Sequence, residues 1–278
     1  MVIKTNKMEN KKILADHIYA VGDIHGYWKS LIAVIKRYEI INSIVIVCGD
    51  CGLGFDGWEA TKTKLSGLNN VCKKQNVTIV MFRGNHDDPE FFTQGNITSN
   101  IIPVPDYTII NDSILCVGGA TSTDRQYRIQ MKGKLCKEYM KYHPNCSLEE
   151  AMDNTSHLYW ENELPVYDED KLNEIKEAGI KITTVCTHTC PSFCDPLTKD
   201  DISEWIKADP DLNVLIDEER GVMDKLYEKL TNDGHPIKNW IYAHYHRHST
   251  QVSKGIKYVM LDAVIYEGRD ADWCEITK

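Results

Sequence analysis

Apolar and polar positions along the chain alternate between two periods. Residues 17–22 (HIYAVG), 43–48 (SIVIVC) and 77–82 (VTIVMF) are short, nearly continuous apolar runs rich in β-branched side chains, the pattern of strands buried on both faces. Between them, residues 27–39 and 58–75 carry apolar residues at helical spacing. The spacing then shortens. Residues 101–102, 107–110 and 113–117 read as short strands joined by Pro-Asp and Asn-Asp turns. A helix is expected over 147–161, opened by Ser147 and Glu150 as a capping box, and a second over 168–178, closed by Gly179. A strand over 181–187, a helix over 217–232 and a strand over 239–243 follow. The tail reads as strands over 250–253, 256–261 and 272–277. The alternation of strand and helix predicts an α/β protein.

What stands at the strand ends changes the picture. Five runs stop at a residue able to bind a metal, and in open α/β sheets ligands bind at the carboxyl ends of strands. Gly22-Asp23-Ile24-His25-Gly26 follows the first run; Asp23 and His25, two apart, point to one side of an extended segment. Gly49-Asp50 follows the second, and Arg83-Gly84-Asn85-His86-Asp87 the third. His188 follows the strand over 181–187, and His244-Tyr245-His246 follows the strand over 239–243. Each fragment alone has a plainer reading, as a helix cap, an Asx turn or a surface histidine. Together and in this order they point to a metal site built from Asp, Asn and His.

Composition is that of an ordinary globular chain: 278 residues, 42% hydrophobic and 26% charged. The net charge of −9 gives no broad attraction for nucleic acid, although a local basic groove would still accommodate a nucleotide. The polar N-terminal stretch lacks the apolar core of a secretory signal, and no run approaches the ~20 apolar residues that span a bilayer. A cytoplasmic protein with no membrane partner is expected. Ten cysteines are then reduced thiols, with Cys48 and Cys116 as buried small hydrophobes. Cys186, Cys190 and Cys194, with His188 among them, are the nearest approach to a structural zinc pattern.

The ordered motifs D-x-H, G-D, G-N-H-D, H and H-x-H, spanning residues 23 to 246, resemble those of calcineurin-like metallophosphoesterases. GDIHG and RGNHD are similar to the branch that holds Ser/Thr protein phosphatases and diadenosine-tetraphosphate hydrolases, and the segment 118–128 is similar to one in small bacterial and phage members. The resemblance implies one domain over 1–278, a four-layer α/β/β/α sandwich, with a partly helical cap inserted at about 124–180. It implies two divalent cations, one on Asp23, His25, Asp50 and His246, the other on Asp50, Asn85, His188 and His244, with Asp50 bridging. Manganese is expected first, with iron or zinc compatible with the same O/N donors.

Two cations ~3.5–4 Å apart can clamp the attacking and leaving oxygens of a phosphoryl displacement and lower the pKa of a water held between them. The resemblance makes His86 the catalytic histidine, which would protonate the leaving oxygen or steady the transition state by hydrogen bonding; Asp87 or another carboxylate could orient it. The second motif lacks the arginine usual in that branch, since Gly52, Leu53 and Gly54 follow Asp50 and Cys51. Arg83, Arg125 and Arg128 are the candidates to bind phosphate instead; Arg83 could equally be a structural ion-pair partner, and Arg128 could equally pair with Asp124 one helical turn away. The tyrosines of the insertion (Tyr127, Tyr139, Tyr142, Tyr159) and Trp160 could stack on a base, but are expected first to line a small core. The expected function is hydrolysis of phosphomonoesters, of a phosphoprotein, a nucleotide or a small phosphoester. A phosphodiesterase or dinucleotide polyphosphatase is the alternative, and a scaffold without catalysis a further one.

Overall fold

A computed structural model describes residues 8–197 and 202–276. Residues 1–7 of the polar N-terminal stretch and residue 277 of the last expected strand lie outside this range. The first half runs β1 (Asn10–Lys11), β2 (His17–Val21), α1 (Trp28–Arg37), β3 (Ser43–Cys48), α2 (Trp58–Gln75) and β4 (Val77–Phe82). Three short strands follow, β5 (Ile101–Pro103), β6 (Thr108–Ile110) and β7 (Ile114–Val117). Then come α3 (Arg125–Tyr142), α4 (Leu148–Asp153), α5 (Glu169–Glu177), β8 (Thr184–Thr187), α6 (Ile202–Ala208) and α7 (Leu212–Asn232). The chain closes with β9 (Asn239–Tyr242), β10 (Ser249–Ser253), β11 (Ile256–Met260) and β12 (Trp273–Glu275).

Two sheets result, one ordered β12-β2-β3-β4-β5 and the other β1-β6-β7-β8-β9-β11-β10. In the first, β2, β3, β4 and β5 are parallel and β12 closes the edge antiparallel. In the second, β7, β8, β9 and β11 are parallel. Strand pleating explains why the central runs read as unbroken apolar stretches. In β3, Val45 and Val47 face α1 and α2, whereas Ile44, Ile46 and Cys48 face the other sheet. Three cores separate four layers. One lies under α1 and α2, one between the sheets, and one under α5 and α7.

The expected four-layer sandwich is therefore the observed one, and most elements fall where periodicity put them. The helix expected over 147–161 stops at Asp153, although Ser147 and Glu150 do form the capping box. α7 starts five residues earlier than position 217. Within the segment 124–180, α5 contributes Leu172 and Ile175 to the outer core of the seven-stranded sheet. α3 buries only Cys136 and stands away from the sheets. Among the described residues no helix is long and apolar enough to cross a membrane.

Candidate metal centre

The parallel strands of both sheets end on one rim. Asp23 follows β2, Asp50 follows β3 and Asn85 follows β4; His188 follows β8 and His244 follows β9. Backbone geometry at this rim is unusual. His25 (φ 42°), Asp50 (φ 42°), His244 (φ 70°) and His246 (φ 54°) all lie in the left-handed region that residues with a Cβ avoid. Glycines make the approach possible. A Cβ on Gly84 would fall 2.0 Å from Asp50 Oδ1, and one on Gly49 would fall 2.3 Å from His188 Nδ1.

Donor atoms ~2.0–2.2 Å from one cation lie ~3–4 Å from one another. Among the described residues, two groups bring one donor atom from each member within 4.8 Å of one another: Asp23 with His25 and His246, and Asp23 with Asp50 and His188. Asp23 Oδ2 lies 3.4 Å from His246 Nε2 and 4.0 Å from His25 Nε2, and those two ring nitrogens are 3.2 Å apart. The His244 backbone N–H donates to the Asp23 carboxylate at 3.1 Å, tying the last motif to the first. On the other side, His188 Nδ1 is 2.8 Å from the Cys48 carbonyl, leaving Nε2 toward Asn85 Oδ1 (2.9 Å) and Asp50 Oδ1 (3.4 Å). The His244 ring packs against that of His188 with centroids 4.9 Å apart.

Asp50 stands between the two sides. Its Oδ1 accepts from the His86 backbone N–H at 2.8 Å, while Oδ2 lies 3.9 Å from His25 Nδ1 and 4.0 Å from His86 Nε2. Oδ2 is buried with no hydrogen-bond partner. A carboxylate oxygen left this way is costly unless a cation meets it. Burial alone would raise the Asp50 pKa, but the imidazoles of His188, His86 and His25 hold it well below the carboxylate range. Burial opposes protonation of His188, yet Asp50 and Asp23 outweigh it and raise its pKa to about 9. A proton on His188 neutralises buried carboxylate charge; a divalent cation on Nε2 would do the same with twice the charge. The donor set fits a pair of cations.

His86 lies beside this group without joining either cluster. Burial first, with the charges of Arg128 and His25 against that of Asp50, brings its pKa down to about 4, so the ring is neutral at pH 7. Arg128 Nη2 approaches His86 Nε2 at 3.4 Å while Arg128 Nε also pairs with Asp124 at 2.8 Å. Arg128 is thus paired with Asp124 and also reaches His86.

The other candidate residues meet different partners. Asp87 does not face His86. Its two oxygens accept from the backbone N–H groups of Cys51, Gly52, Leu53 and Gly84 at 2.8–2.9 Å, which fastens the Asp50 loop to the Asn85 loop. Arg83 is spent on Asp106 (2.9 Å) and on the carbonyls of Asn162, Glu163 and Leu164, and is only 7% exposed. Arg125 forks onto Asp209 with both carboxylate oxygens engaged. Both guanidiniums are engaged by carboxylates. The aromatics of the insertion also depart from a shared core, since Tyr127 and Tyr142 are exposed and Trp160 packs edge-on against Phe55 at 5.4 Å. The cysteine cluster divides, with Cys186 between the sheets and Cys190 and Cys194 under α7, while His188 turns to Asp50.

The sequence missed the residues behind the ligands. Asn85 Nδ2 donates to Ser122 Oγ at 2.8 Å, and Ser122 Oγ donates to the buried Glu163 at 2.5 Å. This orients the Asn85 amide so that its carbonyl oxygen faces His188. Thr189, next to His188, and Tyr245, between His244 and His246, meet at 2.8 Å. Glu219 and Arg220 of α7 hold that pair from behind. Charged residues on a helix read as solvated, so only their burial reveals them.

The profile of the family described as calcineurin-like phosphoesterase matches residues 17–248. No curated protein matches the chain. Among solved structures the chain is similar to a dimetal phosphatase from Danio rerio, with TM-score 0.47 and 10% identity over 91% of this chain and 88% of that one. It is also similar to phosphopantetheinyl hydrolase from Mycobacterium tuberculosis, with TM-score 0.37 and 12% identity over 94% and 91%. A protein serine/threonine phosphatase from Saccharomyces cerevisiae gives TM-score 0.35 and 13% identity over 92% and 71%.

Proposed function

The chain belongs to the calcineurin-like phosphoesterase family, and from that premise we propose that it hydrolyses phosphomonoesters, of a phosphoprotein or a nucleotide. The proposed ligands of its two divalent cations are Asp23, His25, Asp50, Asn85, His188, His244 and His246, with manganese the first candidate. Such cations supply charge neutralisation on the phosphoryl oxygens and lower the pKa of water. The observation that carries the reading is Asp50, a buried carboxylate with one oxygen orphaned and histidines on both sides.

The chain's own residues divide the remaining work. Arg128 Nη2 binds phosphoryl oxygens and holds the ester against His86. Burial pushes the His86 pKa down to about 4, and the negative charge of a bound phosphate works against that shift, favouring the protonated ring. The protonated ring then donates to the leaving oxygen. Ser122 and Glu163 keep the Asn85 carbonyl aimed into the site. Asp87 holds the two carboxylate- and amide-bearing loops in register.

The test compares turnover of p-nitrophenyl phosphate with that of bis-p-nitrophenyl phosphate by the manganese-loaded protein. At least about tenfold preference for the monoester is expected. Preference for the diester would replace this reading with phosphodiesterase, and failure to turn over either substrate with manganese bound would overturn it.

A further inference from the structure

Next to the candidate metal centre lies a cleft of about 650 Å³, within the range of ligand sites. It begins at His25, and its walls come from the loops that deliver His25 and Asp50 and from the facing sides of α1 and α2. Those loops touch backbone to backbone, since a Cβ on Gly52 would fall 2.3 Å from the Gly26 nitrogen. Asp87 additionally grips the amides of Cys51, Gly52 and Leu53. The cleft therefore has a fixed position relative to the centre.

Its lining is aromatic on two sides. Tyr27, the N-cap of α1, and Trp28, its first residue, are half-buried and packed against the core under the five-stranded sheet, so they form a rigid wall. Phe55 stands on the loop after Asp50 and is braced edge-on by Trp160 at 5.4 Å. Two exposed ion pairs edge the cleft, Lys29 with Glu267 at 2.6 Å and Lys64 with Asp56 at 2.5 Å. Exposed pairs hold together weakly, so their amines and carboxylates can exchange partners and serve as donors and acceptors.

We propose that this cleft is a base-binding subsite, which takes the nucleoside ring of a nucleotide whose phosphoryl group lies at the metal centre. The inference rests on the phosphoesterase reading of that centre and narrows its substrate class. A flat heteroaromatic ring is matched by the aromatic walls, because every base has a face that stacks and edge groups that hydrogen-bond. The phenyl ring of a phosphotyrosine fits less well. It is small for the space and offers nothing to the charged groups at the edge.

Two measurements separate this inference from the reading beneath it. In the first, adenosine, which lacks phosphate, is titrated calorimetrically into the manganese-loaded protein. Saturable binding below about 1 mM is expected, weakened at least about tenfold in both Phe55→Ala and the bulk-preserving Phe55→Leu, as loss of a stacking partner predicts. In the second, the ratio of kcat/KM for adenosine monophosphate to that for glycerol 2-phosphate should fall at least about tenfold in the same variants. Hydrolysis of glycerol 2-phosphate by a wild-type protein that does not bind adenosine would overturn the subsite and leave the phosphoesterase reading intact. Binding of adenosine that depends on Phe55, with no hydrolysis of any ester, would support the subsite and remove the other. Faster turnover of phosphotyrosine than of adenosine monophosphate also overturns the proposal.

Discussion

His25, Asp50, His244 and His246 hold left-handed backbone conformations, each costing on the order of 1–3 kcal/mol. Such conformations persist where surrounding contacts over-determine them, and here they aim side chains that a relaxed backbone would turn away. The motif spacing showed which residues converge but not this strain, because residue type alone does not report φ. His86 illustrates the same division. Its place in the third motif was legible, whereas its neutrality follows from burial, with Arg128 adding to it. Replacing His86 by Ala should leave metal content, read by atomic emission, at the wild-type level while turnover falls at least ~100-fold, the low end for a lost general acid. Near wild-type turnover with metals retained would remove His86 from the mechanism.

Among the elements, α3 was the hardest to read. It spans Arg125–Tyr142 but buries only Cys136, so it carries no apolar stripe from which a period could be drawn. Polar contacts hold it instead. Arg125 at its first turn forks onto Asp209, and Lys132 Nζ caps the carbonyls of Met152, Thr155 and Ser156 at the end of α4. Asp209 is 2% exposed. Its replacement by Ala removes the carboxylate that Arg125 forks onto, leaving it Tyr159 and the exposed Asp211, and should destabilise the protein by about 1–3 kcal/mol, measured by urea unfolding. Arg125 holds the Asp209 pKa below its usual value through their hydrogen bonds. The pair's contribution is thus complete above the unfolded carboxylate value and is lost as pH falls through the depressed folded one. Wild-type protein should accordingly lose stability in that acid range, and the Ala variant should lose less.

At the scale of the whole molecule, the two sheets gather buried carboxylates at one rim, and metal, protons and folding compete there. His188 carries a raised pKa of about 9, with burial opposing and Asp50 and Asp23 prevailing. Below that pH a metal must displace its proton, so metal affinity should increase with pH across neutrality, by up to about tenfold per unit for each proton released. Manganese titrations at two pH values check the slope. Chelation should lower Tm, since a ligand at 100 times its Kd adds about 2.7 kcal/mol to stability. Asp50→Asn should bind less metal and respond less to the chelator; an equal response from both proteins would detach Asp50 from the centre.

The sequence by itself determined the α/β alternation, the positions of the central strands and the ligand-type residues at their ends. Those features are written in local periodicity and in motifs a few residues long. Tertiary structure decided the rest. Arg83 and Arg125 look like Arg128 in sequence, yet Asp106 and Asp209 occupy the first two, and only Arg128 reaches His86. Asp87 lies one residue from His86 but serves four amides of the rim loops. Glu163, Glu219 and Arg220 resemble solvated charges until packing buries them behind the ligands. A charged side chain has no period that tells its partner, and its role follows only from what folding brings within hydrogen-bonding reach.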